Sequence, residues 1–152
     1  VSLRKSEVGV EKGLRKSDDA IRSSQNGWLH NLGEYSDHIT KVFRTTLETT
    51  PEWNIPLLYV EPYQYAEYNV GDFYTWHKDQ EKPSEDGSIR SLSMSLILQS
   101  AEMGGEFEVA EHGPLEVRRG DMIVFPSFVI HRVTPVVQGK RISIVGWYRG
   151  RV

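Results

Sequence analysis

One run constrains the fold more than any other. From Ser91 to Leu98, Leu92, Met94, Leu96 and Leu98 alternate with Ser91, Ser93, Ser95 and Ile97. Side chains of an extended chain point to opposite faces with a period of two, so this run is a strand with two chemically different faces. No helix accommodates that pattern. Beyond Pro56 the same kind of signal recurs: Leu57 to Glu61, Tyr63 to Tyr68, Phe107 to Val109, Met122 to Phe125 and Arg141 to Tyr148 are rich in aromatic and branched residues between turn signals.

Before Pro51 the period changes. Leu32, Tyr35, Ile39, Val42, Phe43 and Leu47 recur at spacings of three and four, which predicts a helix from Asn31 to about Thr49 with one apolar face. Asn31 with Glu34 three residues later resembles a capping box. Pro51 stops the helix. Further upstream, Val8-Gly9-Val10 reads as a short strand, and Arg22 to Trp28 as a loop ending in an aromatic anchor. One helix followed by about eight short strands argues for a mainly β fold, an antiparallel sandwich or closed jelly roll.

The chain has 152 residues, enough for one domain with a real core. A net charge of -3 gives no global reason to expect nucleic acid as partner. No apolar run reaches membrane-spanning length, and no signal-peptide pattern opens the sequence, which begins with Val. The absence of Cys excludes disulfides and thiolate metal sites, and fits a reducing cytoplasm.

Chemistry is concentrated in three places. In Tyr68-Asn69-Val70-Gly71-Asp72-Phe73-Tyr74-Thr75-Trp76-His77-Lys78-Asp79, the His and Asp are two apart. On a strand both point the same way and can share a metal, while Lys78 between them faces away. His131 is a single His in an apolar, β-branched run, Phe125 to Val133. Two His and one carboxylate form the facial triad of non-haem Fe(II) oxygenases, with open positions for other ligands. Ten residues on, Arg141 opens a run of alternating apolar residues, so its guanidinium is expected in the core, where it needs an anion. His112 precedes Gly113-Pro114 and reads as an exposed turn residue; His38 lies off the helix's apolar face.

The order Tyr68-x-x-Gly71-x-x-Tyr74-x-x-His77-x-Asp79, then Gly104-Gly105, then His131, Arg141 and Trp147, resembles the 2-oxoglutarate- and Fe(II)-dependent dioxygenases. Within them it is most similar to the prolyl 4-hydroxylase-like branch, including its small bacterial and phage-encoded members. The resemblance spans Trp53 to Trp147. It implies a double-stranded β-helix with a supporting N-terminal helix, in a single dioxygenase domain over 1–152, with 1–52 as arm and helix and 53–152 as catalytic core. Fe(II) is then expected on His77, Asp79 and His131, and the distal carboxylate of 2-oxoglutarate on Arg141 and Tyr68. Trp147 would wall the pocket. Ascorbate is a further expected reductant.

The implied reaction is hydroxylation of a C–H bond, with release of succinate and CO₂. The expected target is C4 of a peptidyl proline, so the partner is a proline-containing polypeptide, met by a monomeric enzyme in a bacterial or phage-infected cytoplasm. Tyr74 and Trp76 are the candidate substrate contacts, and residues 80–88 a solvated hairpin or a lid. The strand matching Leu92 to Leu98 lacks the second Tyr that several animal relatives place there, which leaves room for a Ser to take part. Competing readings are the same chemistry on a free amino acid, another side chain or nucleic acid, and a non-redox cupin-like metal protein. Nucleic-acid demethylases of the superfamily carry an Arg where this chain has Trp147.

Overall fold

The computed structural model describes residues 4–5, 21–29, 33–48, 51–53 and 56–151. The expected Val8–Val10 strand, His30, and the Asn31 cap with Leu32 lie outside these residues. Within them the protein is mainly β. The larger sheet runs in the order Arg4–Lys5, Gln25–Leu29, Tyr63–Tyr68, Arg141–Arg151, Ser88–Gln99, Met122–Pro126. Leu57–Val60 pairs with the far half of Arg141–Arg151. The smaller sheet has the order Gly113–Pro114, Phe107–Val109, His131–Val133, Phe73–His77, Arg22–Ser23. A third, two-stranded ribbon joins Val136–Gln138 to Met103–Gly104.

The alternation in Ser88–Gln99 has an explanation in this layering. Leu92 and Met94, with Leu96 and Leu98 beside them, pack into a cluster containing Phe43, Tyr63, Ile144 and Tyr148. The Ser face is buried too: Ser93 and Ser95 are as inaccessible as their apolar neighbours. The strand therefore lies between two layers, with the helix on one side and the smaller sheet on the other. A second apolar cluster joins the two sheets, with Ala66, Tyr68 and Phe125 meeting Phe107 and Val133.

The helix spans Glu34–Glu48. Its buried stripe is narrower than its periodicity suggests. Phe43 is fully buried, stacking at a tilt on Tyr148 with centroids 4.2 Å apart, and Ile39 and Leu47 pack beside it. Tyr35 and Val42 are instead 67% and 53% exposed. Among the described residues, Ile39, Phe43 and Leu47 at i, i+4 and i+8 make the helix's contact with the larger sheet.

Two local features shape the region between the sheets. The apolar run Phe125 to Val133 is not one strand: Val129 N–H donates to the Pro126 carbonyl at 2.9 Å, a turn that carries the chain from the larger to the smaller sheet. Phe128 and Ile130 are left exposed by that turn. At Gly104 (φ 72°) the backbone is left-handed, and a Cβ there would fall 2.2 Å from the Pro135 carbonyl oxygen. Only glycine fits so close to the facing ribbon strand.

Candidate active site

His131 and His77 are direct partners across the two central strands of the smaller sheet. Asp79 comes just beyond the strand end, where Gln80 N–H donates to the Ser127 carbonyl at 2.9 Å and curls the chain back over the pair. Asp79 Oδ1 comes 3.3 Å from His77 Nε2 and 3.7 Å from His131 Nε2. One ligand atom from each of the three lies within 4.8 Å of the others.

The tautomers are set by the outer bonds. Nδ1 of His77 donates to the Thr75 carbonyl at 2.8 Å, and Nδ1 of His131 to the Val129 carbonyl at 3.0 Å. In the neutral rings both Nε2 atoms then carry lone pairs aimed toward a carboxylate oxygen, an arrangement that a cation completes. Burial pushes the Asp79 carboxyl up, yet the hydrogen-bonding and charge of His77 and the charge of His131 outweigh it, and the group stays ionised well below the usual range. Burial pushes His131 down, aided by the charge of His77 and opposed by Asp79, so its ring is neutral at pH 7. A set of two imidazoles and one carboxylate fits a divalent first-row metal with open positions.

A cavity of about 270 Å³ opens over this triad between the two sheets. On its opposite wall is Arg141, only 3% exposed. Its Nη1 donates to Ser143 Oγ at 3.0 Å, and its Cζ stands 5.4 Å from the centre of the Tyr68 ring, its direct cross-strand partner. Among the described residues no carboxylate pairs with it. Burial lowers its affinity for its proton, with Tyr68 acting the other way. Trp147 also lines the cavity, with Arg90 lying over its ring at 4.0 Å, and its indole N–H has no acceptor among the described residues.

Tyr74 lines the cavity and stacks on the His77 ring, with centroids 3.5 Å apart. Burial pushes its hydroxyl up to about 12, so it is a neutral donor. Trp76 does not reach the site. It is 42% exposed, does not line the cavity, and lies under Arg132 on the other face of its strand. Lys78, expected to turn away, is exposed but does border the cavity. His112 and His38 are exposed and take no part.

Three further residues line the cavity. Arg22 and Trp28 read as part of a loop, but Arg22–Ser23 is an edge strand and Trp28 lies half-exposed at the cavity, tilted against Trp147. Ser95 lines the cavity from the strand that lacks a second Tyr. The segment 80–88 is pinned at its far end: Arg149 bonds Ser84 Oγ and Ser88, and Tyr59 reaches Asp86 at 3.1 Å. Glu81, nearer the site, contacts Arg90 at 3.4 Å.

The chain is similar to known proteins in sequence and in fold. A PKHD-type hydroxylase from Hyphomonas neptunium is 30% identical over 125 residues, covering 74% of this chain and 56% of its own. A PKHD-type hydroxylase from Janthinobacterium is 36% identical over 108 residues, covering 64% and 47%. The chain thus spans about half the length of the curated relatives it matches. The viral collagen prolyl hydroxylase of Paramecium Bursaria Chlorella virus-1 shares the fold, with a TM-score of 0.75 at 23% identity over 86% of this chain and 80% of its own. A Pseudomonas putida prolyl-4-hydroxylase superposes with a TM-score of 0.70 at 25% identity, covering 90% and 77%. The profile of the 2OG-Fe(II) oxygenase superfamily matches residues 63–149, a span that contains the triad and the Arg141 wall, and the chain belongs to that superfamily.

Proposed function

We propose that this protein is a 2-oxoglutarate- and Fe(II)-dependent hydroxylase acting on peptidyl proline, with residues 1–152 forming one dioxygenase domain built on a double-stranded β-helix. The observation that carries the reading is the pairing, in one cavity, of a lone-pair triad with a buried guanidinium that has no carboxylate. One group calls for a metal and the other for an anion, and 2-oxoglutarate is an anion that also chelates metal.

His77, Asp79 and His131 would hold the ion at the wall of the cavity. Arg141 takes the distal carboxylate of 2-oxoglutarate in its planar fork, with the Tyr68 ring against it. Ser95, small and polar, lines the cavity from the larger sheet and leaves room there for that molecule. Trp147 bounds the cavity and offers an N–H to a ligand acceptor, and Tyr74 presents a neutral hydroxyl to the substrate. With Fe(II) and 2-oxoglutarate bound, the centre supplies oxidative decarboxylation to succinate and CO₂ and inserts one oxygen atom of O₂ into a C–H bond.

The prolyl target rests on likeness to the two prolyl hydroxylases and on an aromatic rim, Trp28, Tyr74 and Trp147, suited to an extended proline-rich strand of low binding entropy cost. The test is incubation with Fe(II), 2-oxoglutarate and a panel of proline-rich peptides. A one-oxygen mass gain located on proline is the expected result. Succinate formation with every proline unmodified, and oxygen on another residue or small molecule, overturns the prolyl assignment and leaves the oxygenase. No succinate under any condition overturns both.

A further inference from the structure

No ligand role claims Arg22, yet it is buried at the wall of the cavity. Its edge is held by neutral acceptors: Nε donates to Ser24 Oγ at 2.9 Å, and Nη2 to Asn26 Oδ1 at 2.9 Å and Gln64 Oε1 at 3.4 Å. Among the described residues it meets no carboxylate. Its flat face lies over Tyr74, with Cζ 4.5 Å from the ring centre. Tyr74 in turn lies flat on His77, with the planes 12° apart. Three planar groups therefore form one column that ends on a candidate metal ligand. The backbone sets this up, because Arg22 and Tyr74 are cross-strand partners and Thr75 N–H donates to the Ile21 carbonyl at 2.8 Å.

The two imidazoles are supported differently. His131 is enclosed by Phe107, stacked at 5.1 Å, and Phe125, edge-on at 4.7 Å, both in the apolar core. His77 is tethered through Nδ1 to Thr75, which fixes the tautomer, and the tilted His131 ring at 4.2 Å bounds its rocking about that bond on one side. What limits the rocking on its flat side is Tyr74, and what backs Tyr74 is Arg22.

We propose that Arg22 is a positioning residue for the metal centre, clamping Tyr74 against His77 so that Nε2 stays aimed at the ion. This rests on the reading of the triad as a metal site. The supporting shell around a metal ligand is worth roughly 10–100-fold in affinity, and the column is the part of that shell that reaches His77 from outside the core.

The test is a double-mutant cycle read by Co(II) affinity, measured by competition with a chromophoric chelator. It needs no substrate and no turnover. Arg22→Gln should weaken Co(II) binding by about tenfold. In a Tyr74→Leu background the same change should cost less than about twofold, because the intermediary is gone. Co(II) affinity in Arg22→Gln within about twofold of wild type, or an equal loss in both backgrounds, overturns the proposal. Should Arg22→Gln fail to fold, Arg22→Lys replaces it in the cycle. It keeps the charge but not the planar face, with an expected loss of about fivefold and the same overturning outcomes. Wild-type protein that binds no Co(II) overturns the metal-site reading together with this one, whereas normal wild-type binding with an indifferent Arg22 variant overturns this one alone.

Discussion

Arg141 and Arg149 are eight residues apart on one strand, and both are nearly inaccessible, at 3% and 6% exposure. Their surroundings are opposite. Arg149 donates to Glu61 at 2.8 Å, to Ser88 Oγ and O at 2.8 Å each, and to Ser84 Oγ. Arg141 has one hydroxyl and an aromatic ring. A buried guanidinium whose donors are met by the protein is architecture. One that has a single hydroxyl beside a cavity among the described residues is, on the proposed function, open to an anion, which gives the strand a scaffold end and a proposed site end. Burial alone does not distinguish them; the partner inventory does.

The comparison breaks first at the metal. Asp79→Ala should abolish succinate formation, exceeding the roughly 100-fold that loss of an outer-shell partner alone can bring. The melting temperature should barely fall, because removing the carboxylate leaves the rings bonded to the backbone. Retained turnover in the purified, iron-loaded variant would refute the triad.

Next in size is the site end itself. Arg141→Met should weaken 2-oxoglutarate binding by more than about 100-fold, reflecting a loss of about 3–5 kcal/mol for a broken buried pair. Arg141→Lys should lose less, since charge survives without the fork. Stability should hold or rise, because a desolvated cation has been removed. Calorimetry with 2-oxoglutarate and a thermal melt read the two effects, and a large drop in melting temperature at unchanged affinity would reverse the assignment of ends.

Arg149→Met should do the opposite. It strips Glu61 of one of its two cations and unties Ser84 and Ser88, so stability should fall by about 3 kcal/mol with little change in 2-oxoglutarate affinity. The same cluster predicts a pH signature. Burial raises the Glu61 carboxyl, but Arg90 and Arg149 outweigh it and hold the pKa below the ordinary 4.5. A depressed carboxylate contributes stability that is complete above 4.5 and is lost as pH falls through its folded value. Acid titration of stability should therefore be shallower in Arg149→Met than in wild type, and an identical profile would remove Glu61 from the account.

Smallest of all is the outer contact of Arg90. Glu81 is exposed and Arg90 keeps its twofold bond to Glu61, so Glu81→Gln should change stability by less than about 1 kcal/mol. A greater change in urea denaturation would show that the loop contributes to the scaffold end.

Much of this was legible in the chain. His77, Asp79, His131 and Arg141 each stand out because a polar residue in a strand pattern is costly unless it has a purpose. What stayed hidden depended on neighbours distant in sequence. Met122 to Phe125 and the His131 strand read as two elements, but that they belong to different sheets shows only in the structure. Tyr35 and Val42 obey helical periodicity but are exposed. Trp76 sits beside a ligand in sequence, and strand alternation puts it on the opposite face. The segment Arg22 to Trp28 reads as a supporting arm, while the column of Arg22 on Tyr74 is assembled across two strands and shows only in the structure.

The direct pairing of His77 with His131 has a thermodynamic consequence of its own. An ion held there is a cross-link between the two middle strands of the smaller sheet, which is made of short strands, whereas the larger sheet contains two strands of eleven and twelve residues. Binding energy at the triad is therefore delivered to the less extensive layer, in the way a ligand stabilises whatever folded unit contains its site. Amide exchange in Phe73–His77, His131–Val133 and Phe107–Val109 should slow on metal loading, while the helix and the larger sheet exchange at the rates they had before.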